Sequence, residues 1–282
     1  MLLKGYMIPN NFPSLKNIDA ILVDIRGTII HPSLDEPLSP KLVQITHALA
    51  KAGVKIGVDT ATSIQSMKNL ILEPLLTYPN STVDDIESNF VMYVDSSTAA
   101  YSLKNKDIIP LNEYEFLSFE EDELASVLKN IEQAIAQYEL SNATYKVKAG
   151  QINFYCGGTW EERMIISDSL NKTLHKKGYK RIAAMVPSAK ETIDIAICKK
   201  DRGAEDFIRR FQLAPQNILI IGDSLQDGAP DLDMVKAAPG SIGIQVGPYI
   251  PHSKIYHLSH NDATMAAYEI LKHVLEHKGI FI

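Results

Sequence analysis

Residues 20–30 of the chain read AILVDIRGTII, and this stretch decides the fold class. Four apolar residues lead directly into Asp24, and the turn-forming pair Gly27 and Thr28 follows. A short apolar run that is rich in β-branched residues and ends in turn residues is typical of a buried parallel strand. Ligands of open parallel sheets bind at the carboxyl ends of the strands, where we expect the Asp24 carboxylate. Taken alone, such an aspartate is more often a turn cap than a functional group.

A second stretch, ILIIGDSLQD, repeats this arrangement near the end of the chain. Its apolar strand would bring Asp223 to the same edge of the sheet, with Asp227 one turn later. Together with Asp24 these carboxylates would repel one another unless a hard cation lies between them, and Mg²⁺ prefers such oxygen ligands. N-capping of a helix is the alternative role for Asp223 and Asp227. We interpret the next aspartates as a solvated helix face: Asp231 and Asp233.

Helix and strand signals alternate around these two stretches. Ser39 and Pro40 provide an N-cap and a first helical residue, and the helix that they open ends before Gly53. Such alternation predicts right-handed crossovers in a parallel sheet. Further strands are predicted at 54–58, 90–94, 218–222 and 242–246. Further helices are predicted at 63–72, at 202–211, up to Ala238 and at 262–276.

Residues 112–197 interrupt this alternation. They contain signals for an acidic helix, a long strand, a second helix and two further strands, which together predict an α+β insert that covers one face of the first domain. These predictions cover 120–138, 145–155, 160–177, 179–185 and 192–197. We therefore predict an α/β fold, with a doubly wound parallel sheet in a core domain of residues 1–112 and 198–282 and an inserted α+β cap domain of residues 113–197.

Composition narrows the range of partners. The net charge of −6 does not favour binding to a nucleic acid or to an anionic membrane. No apolar run has the length of a membrane-spanning helix, and the first residues lack the apolar core of a signal peptide. The two cysteines, Cys156 and Cys198, are too few for a disulfide framework or a zinc site. We expect them to be reduced core residues of a cytoplasmic protein.

Four motifs together resemble the haloacid dehalogenase superfamily. They are VDIRGT at 23–28, VDT at 58–60, DRGA at 201–204 and IGDSLQD at 221–227. The insert lies between the second and third motifs, which resembles the large-cap branch that contains Cof-like sugar phosphatases, trehalose-phosphate phosphatase and phosphomannomutase. The insert is most similar to the phosphomannomutase cap. By this resemblance, the side chains that bind the substrate from the cap are Lys148, Arg163, Thr192 and Asp194.

The resemblance also implies a mechanism. Asp24 would be the nucleophile that forms an aspartyl-phosphate, which water then hydrolyses. Mg²⁺ would be bound by Asp24, the backbone carbonyl of Arg26, Asp223 and Asp227, and Thr60 would donate a hydrogen bond to the phosphoryl group. The basic residue of the third motif would neutralise that group. This residue is Arg202, with Lys199 and Lys200 just upstream as substitutes.

The sequence departs from the family pattern at two positions. Arg202 stands where the family has lysine, which keeps the charge but alters its reach. Arg26 stands where the phosphatases of the family have the aspartate that protonates the leaving group, and arginine cannot exchange a proton. The leading hypothesis is a Mg²⁺-dependent phosphohydrolase of a small phosphorylated metabolite, a sugar phosphate above all. The alternatives are a binding protein with weak or no catalysis and cleavage of a carbon–halogen or carbon–phosphorus bond.

Overall fold

The structure, a computed structural model, describes residues 2–3, 6–7, 13–31, 36–79, 83–187, 190–248, 252–258 and 262–282. Its strands form an eight-stranded sheet, a four-stranded sheet and a short two-stranded hairpin. The strands are β1 (Leu2–Leu3), β2 (Tyr6–Met7), β3 (Ala20–Val23), β4 (Lys55–Asp59), β5 (Phe90–Val94), β6 (Ala99–Lys104), β7 (Asp107–Pro110), β8 (Thr144–Val147), β9 (Gln151–Tyr155), β10 (Ala183–Met185), β11 (Thr192–Ala196), β12 (Ile218–Gly222), β13 (Ile242–Val246) and β14 (Tyr256–Leu258).

The helices lie between these strands. The α-helices are α1 (Pro40–Lys51), α2 (Ile64–Met67), α3 (Glu73–Thr77), α4 (Val83–Asn89), α5 (Glu121–Gln137), α6 (Trp160–Lys176), α7 (Asp201–Phe211), α8 (Leu232–Ala237) and α9 (Ala263–His277). A π-helical segment (Lys68–Leu72) joins α2 to α3, and a 3₁₀ turn (Pro215–Asn217) precedes β12. No helix in the described part of the chain combines the length and the apolar character needed to cross a membrane.

The eight-stranded sheet has the order β14-β13-β12-β3-β4-β5-β6-β7. The strands from β14 to β5 are parallel, and β6 and β7 continue the sheet in antiparallel fashion. Apolar clusters cover both of its faces, one of them against α1 and α9 and the other against α7 and α8. This confirms the predicted doubly wound α/β fold. We call this sheet with its flanking helices the core.

Local chemistry explains why the predicted helices form. The Ser39 hydroxyl accepts a hydrogen bond from the Leu42 amide at the start of α1, and Pro40 occupies the first helical position. The buried face of α1 includes Leu42, Ile45 and Leu49, which recur at helical spacing. The signals in the sequence therefore predicted this helix correctly.

The four-stranded sheet, in the order β10-β11-β9-β8, is antiparallel. One of its faces packs on α5 and α6, and the apolar side chains of that face include Ile152, Phe154, Ile193 and Ile195. The alternate residues, such as Asn153, therefore point to the opposite face. We call β8–β11 with α5 and α6 the cap.

One prediction about a strand was wrong, and one hairpin was missed. The single strand predicted over 145–155 is a hairpin of β8 and β9. Its turn contains Gly150, where a Cβ atom would lie 2.7 Å from the Leu117 carbonyl oxygen. The hairpin of β6 and β7 was missed because its turn uses Asn105 and Lys106 at positive φ, and the second of these is not the glycine that usually marks such turns.

Candidate active site

Three buried carboxylates meet at the carboxyl ends of neighbouring strands. Asp24 follows β3 and Asp223 follows β12, and these strands pair in a register that sets Val23 beside Ile221. Asp231, just before α8, completes the group, because ligand oxygens of the three aspartates lie within 4.8 Å of one another. Asp24 and Asp223 are each 6% exposed and Asp231 is 1% exposed. Such crowding of acidic groups away from water requires positive charge nearby.

Glycines allow this close approach. Gly27 has a φ of +90°, and a Cβ atom there would lie 2.5 Å from an oxygen of Asp223. A Cβ atom at Gly222 would lie equally close to Asp231. Larger residues at these two positions would therefore push the carboxylates apart.

Lys200 supplies the positive charge. Its ammonium donates hydrogen bonds to Asp24 Oδ1 at 2.6 Å, to Asp231 Oδ1 at 2.7 Å and to the Asp59 carbonyl at 2.8 Å. Burial alone would lower the pKa of Lys200, but the charges of Asp231 and Asp24 outweigh burial and raise it. Since an ammonium group has three protons, these bonds use all of its donors. Lys200 therefore fixes the position of Asp24.

One lysine does not balance the acidic groups around it. Burial, followed by the charges of Asp231 and Asp24, raises the pKa of Asp223 well above its usual range. Burial also raises the pKa of Asp231 to about 6 and that of Asp59 to about 8, despite the opposing charge of Lys200. These shifts reflect first the burial of the acidic groups and then their mutual repulsion. A set of oxygen ligands with excess negative charge fits a hard divalent cation such as Mg²⁺.

Polar residues of the cap face this cluster. The Asn153 amide donates to Asp194 Oδ1 at 2.7 Å, and the Thr192 hydroxyl lies 3.4 Å from the same oxygen. From the turn after β8, Lys148 Nζ donates to the Ala61 carbonyl at 2.6 Å and lies 3.1 Å from Asp95 Oδ1. Both contacts join the cap to the core, and the first of them lies at Ala61, directly after Thr60.

The residues predicted from the two halves of the chain line one cavity. Its volume is about 30 Å³. Those of the predicted site residues that line it are Asp24, Arg26, Thr60, Asp194 and Asp223. A chamber of about 450 Å³ shares Arg26, Ala61 and Lys190 with it and is lined further by Lys148 and Thr192. The structure thus brings most of the predicted catalytic and substrate-binding residues to one place.

Asp227 does not belong to the carboxylate cluster. Its side chain is 81% exposed and lies 3.7 Å from His252. Gly228, at a φ of +81°, turns the chain outward there. The chain then returns to the sheet edge, where the Asp231 amide donates a hydrogen bond to the Ser224 carbonyl. The structure therefore places Asp231, and not the predicted Asp227, in the carboxylate cluster with Asp24 and Asp223.

The interpretation of Asp231 and Asp233 as a solvated helix face was wrong as well. Both side chains are buried. Asp231 accepts hydrogen bonds from Lys200 and from the Ser224 amide, and Asp233 lies 3.7 Å from Lys199 Nζ.

Of the three basic residues predicted at the third motif, Lys200 is the one that contacts Asp24. Arg202 points away from Asp24, donates to the carbonyls of Ser97 and Glu115, and stacks on the Tyr114 ring. Two residues of α-helix rotate a side chain by roughly 200° about the axis, so the two positions cannot face the same site. Lys199 is half-exposed and pairs with Asp233, outside both cavities.

Arg163 is placed inside the cap. It is 5% exposed and donates a hydrogen bond to the Gly158 carbonyl at 2.6 Å. It is not among the described residues that line the two cavities. Its predicted contact with substrate therefore finds no support in the geometry.

Sequence reasoning missed Lys190, which lines both cavities, and it named Lys200 only as a substitute. The signal for Lys200 was its position directly before the Asp201 that begins α7. We find no comparable signal for Lys190, which lies just before β11.

The chain matches a known protein family. A family model described as sucrose-6F-phosphate phosphohydrolase matches residues 18–276. The chain belongs to this family. This membership confirms the haloacid dehalogenase superfamily and its large-cap branch, so the chain is a hydrolase of this type.

Solved structures show the same fold at low sequence identity. The IMP-bound, N-terminally truncated IMP-nucleotidase of Plasmodium falciparum aligns with 93% of this chain and 69% of its own, at 13% identity and a TM-score of 0.70. The trehalose-6-phosphate phosphatase of Aspergillus fumigatus aligns with 90% of this chain and 92% of its own, at 12% identity and a TM-score of 0.54. No curated protein matches the chain.

Proposed function

We propose that the protein is a Mg²⁺-dependent phosphohydrolase of a small phosphorylated metabolite and that Asp24 is its nucleophile. The observation that carries this proposal is the position of Asp24, which Lys200 holds beside two further buried carboxylates in a cavity closed by the cap. Family membership supports hydrolysis of a phosphate ester, and a sugar phosphate is the substrate class that the family name favours. In this proposal residues 1–112 and 198–282 form the core domain and residues 113–197 the cap domain.

The atoms of Asp24 suggest its role. Lys200 holds Oδ1 at 2.6 Å, and the Thr28 hydroxyl lies 3.5 Å from Oδ2. In our proposal Oδ2 forms the bond to phosphorus as the bond to the leaving oxygen breaks, and that oxygen takes a proton from water. Water then hydrolyses the aspartyl-phosphate and regenerates Asp24.

The surrounding residues would bind and orient the phosphoryl group. Because the protons of Lys200 are already used, we assign neutralisation of the phosphoryl oxygens to Arg26 and Lys190, which line the cavity. Thr60 now exchanges hydrogen bonds with Thr62 and would donate to the phosphoryl group instead. Asp24, Asp223 and Asp231, with the carbonyl of Arg26, would hold Mg²⁺, which would offset negative charge in the transition state.

Turnover of p-nitrophenyl phosphate with Mg²⁺ tests this function, because an aryl leaving group needs little protonation. We expect turnover by the wild type, loss of turnover in Asp24→Asn, and retention in Asp227→Asn, since Asp227 is exposed. Mg²⁺ should also raise the melting temperature of the wild type and of Asp227→Asn, but not of Asp223→Asn. Lack of turnover in the wild type would refute the proposal.

A protein that binds phosphorylated metabolites without hydrolysing them is the second candidate. Arg26, which lines both cavities at the position of the family's general acid, favours it because arginine cannot exchange a proton. The two candidates are separated by turnover of the aryl phosphate, since the binding protein would show none.

A further inference from the structure

The chamber between the cap sheet and the core has an unusual balance of charge. Four basic side chains line it, whereas no carboxylate does so among the described residues. The basic residues are Arg26, Lys146, Lys148 and Lys190. In a space of about 450 Å³, this lining creates a positive potential beside the smaller cavity that contains Asp24.

Partners elsewhere in the protein account for only part of this charge. Lys148 lies 3.1 Å from the Asp95 carboxylate. Within the described part of the chain, neither Lys146 nor Lys190 has a carboxylate oxygen within 4.0 Å. The chamber thus contains two ammonium groups whose charge the described residues do not compensate by a direct ion pair.

Lysine on an exposed strand edge has an ordinary explanation, which is protection against edge-to-edge aggregation. That explanation covers Lys146, because β8 is an edge strand of the cap sheet. It does not cover Lys190, which precedes the central strand β11, or Arg26, which follows β3 in the core. Three separate parts of the chain therefore direct positive charge into one space.

The basic side chains are distributed over the two cavities, so they can contact two different ends of one ligand. Arg26 and Lys190 line both cavities, so they can reach a phosphoryl group at Asp24. Lys146 lines only the larger chamber. It pairs in register with Asn153, and Tyr155 and Thr192 lie in the next row of the same face and also line the chamber. This remote end therefore offers an ammonium group beside hydrogen-bonding side chains.

We propose that the substrate is a phosphate monoester whose leaving group carries a second anionic group, a carboxylate or a second phosphate, which binds Lys146. This inference rests on the proposed function, because it assumes that the phosphate ester to be cleaved lies at Asp24. It narrows the substrate class from phosphorylated metabolites in general to those with a second negative charge remote from the scissile bond.

The test compares three probes in the presence of Mg²⁺: glucose 6-phosphate, 6-phosphogluconate and fructose 1,6-bisphosphate. We expect kcat/KM to be at least about tenfold higher for one or both of the doubly anionic probes, as suits an added charge-assisted hydrogen bond. Preference for the second or for the third probe distinguishes a carboxylate from a phosphate. Equal values for all three probes would overturn the inference.

Two variants test whether the preference for doubly anionic probes depends on the chamber. Lys146→Met should lower kcat/KM for the preferred probe by about tenfold and leave glucose 6-phosphate almost unchanged. Lys129→Met makes the same change of charge at an exposed position of α5 that lines neither cavity, and it should alter none of the three values. An equal loss for all probes in Lys146→Met would contradict the assignment.

A binding measurement separates this inference from the proposed function. If no probe and no aryl phosphate is turned over, the proposed function fails, and calorimetric Kd values for the same probes on the wild type decide the inference. If turnover occurs, Kd values are measured on Asp24→Asn, or on the wild type in EDTA should that variant not fold. Tighter binding of a doubly anionic probe supports the inference, and equal or absent binding of all probes overturns it.

Discussion

Two basic residues, Lys200 and Arg26, have different roles in the electrostatics of the site. Lys200 is buried, and protein oxygens accept all of its protons. Arg26 lines both cavities and stands where the superfamily has a general acid. Lys200 is therefore expected to affect folding and catalysis together, whereas Arg26 should affect mainly the reaction.

Replacement of Lys200 by Met should strongly destabilise the protein. The variant leaves Asp24, Asp223 and Asp231 buried without their cation, and loss of one partner of a buried ion pair costs about 3–5 kcal/mol. We expect this loss in the free energy of unfolding, measured by urea denaturation in EDTA. In Lys199→Met, where the half-exposed lysine lies 3.7 Å from Asp233, the loss should stay below about 1 kcal/mol. Similar losses in both variants would show that Lys200 does not carry this charge balance.

Arg26→Asp should increase the turnover of sugar phosphates. An aspartate at this position can protonate the leaving oxygen and then activate water, and such catalysis is worth up to about 10²–10⁴-fold. We expect kcat/KM to rise for a sugar phosphate and to change much less for an aryl phosphate. Lys129→Asp, with the same change of charge on the cap surface, is the control. Wild-type rates that do not differ between alkyl and aryl phosphates would mean that Arg26 is no handicap.

At the scale of elements, local signals and long-range contacts differ in how much of the fold they determine. The strand 90–94 was predicted with its observed bounds because its apolar run ends sharply. The choice of Lys200 over Arg202 depends on the phase of α7 against the sheet, which residue spacing does not determine. Likewise, Asp231 reaches the cluster through the path of the loop after β12, and no local pattern encodes this path.

Helix α7 also contains a carboxylate that should make stability depend on pH. Burial works to raise the pKa of Asp206, but hydrogen bonds from Arg209 and Tyr93 and the charge of Arg210 outweigh it, so the pKa is lowered. A lowered pKa in the folded state stabilises the protein above the unfolded pKa, and this stabilisation is lost as the pH falls through the folded value.

Asp206→Asn should therefore destabilise the protein at neutral pH by about 1–3 kcal/mol, the range for a lost hydrogen bond to a charged group. The difference from the wild type should shrink as the pH falls below about 4, near the unfolded pKa of an aspartate. Urea denaturation at a series of pH values measures it. Asp107→Asn, on the exposed strand β7, should show no such trend. A difference that stays constant from neutral to acid pH would rule out this linkage.

At the scale of the whole molecule, one unusual turn connects the cap to the site. Asp95, Ser96 and Ser97 all have positive φ, between 49° and 63°. The Ser96 amide bonds to the Thr60 carbonyl, the Ser97 hydroxyl bonds to the Asp59 carboxylate, and Asp95 pairs with Lys148 of the cap. Such strained backbone persists only where the surroundings determine it strongly. The position of the cap and that of the second motif are thus coupled through this turn.

Lys148→Met should loosen the cap from the core. The variant loses the bonds to Asp95 and to the Ala61 carbonyl, so amide hydrogen exchange at residues 60–62 should become about threefold to tenfold faster, as for one lost hydrogen bond. Lys146→Met, two residues earlier on the same face, is the control, because Lys146 makes no such contact with the described residues of the core. Equal exchange in the two variants would show that Lys148 does not hold the cap in place.

The order of strands has a consequence for synthesis on the ribosome. β12 lies between β3 and β13, and its Ile218 pairs with Ala20, which lies 198 residues earlier in the chain (218 − 20). The cap strands, by contrast, are close in sequence and have an apolar cluster of their own. The cap can therefore fold as soon as it leaves the ribosomal exit tunnel. The edge of β3 that pairs with β12 stays unpaired until β12 has been synthesised. During that interval the nascent chain exposes apolar strand surface, which makes it a natural client for chaperones.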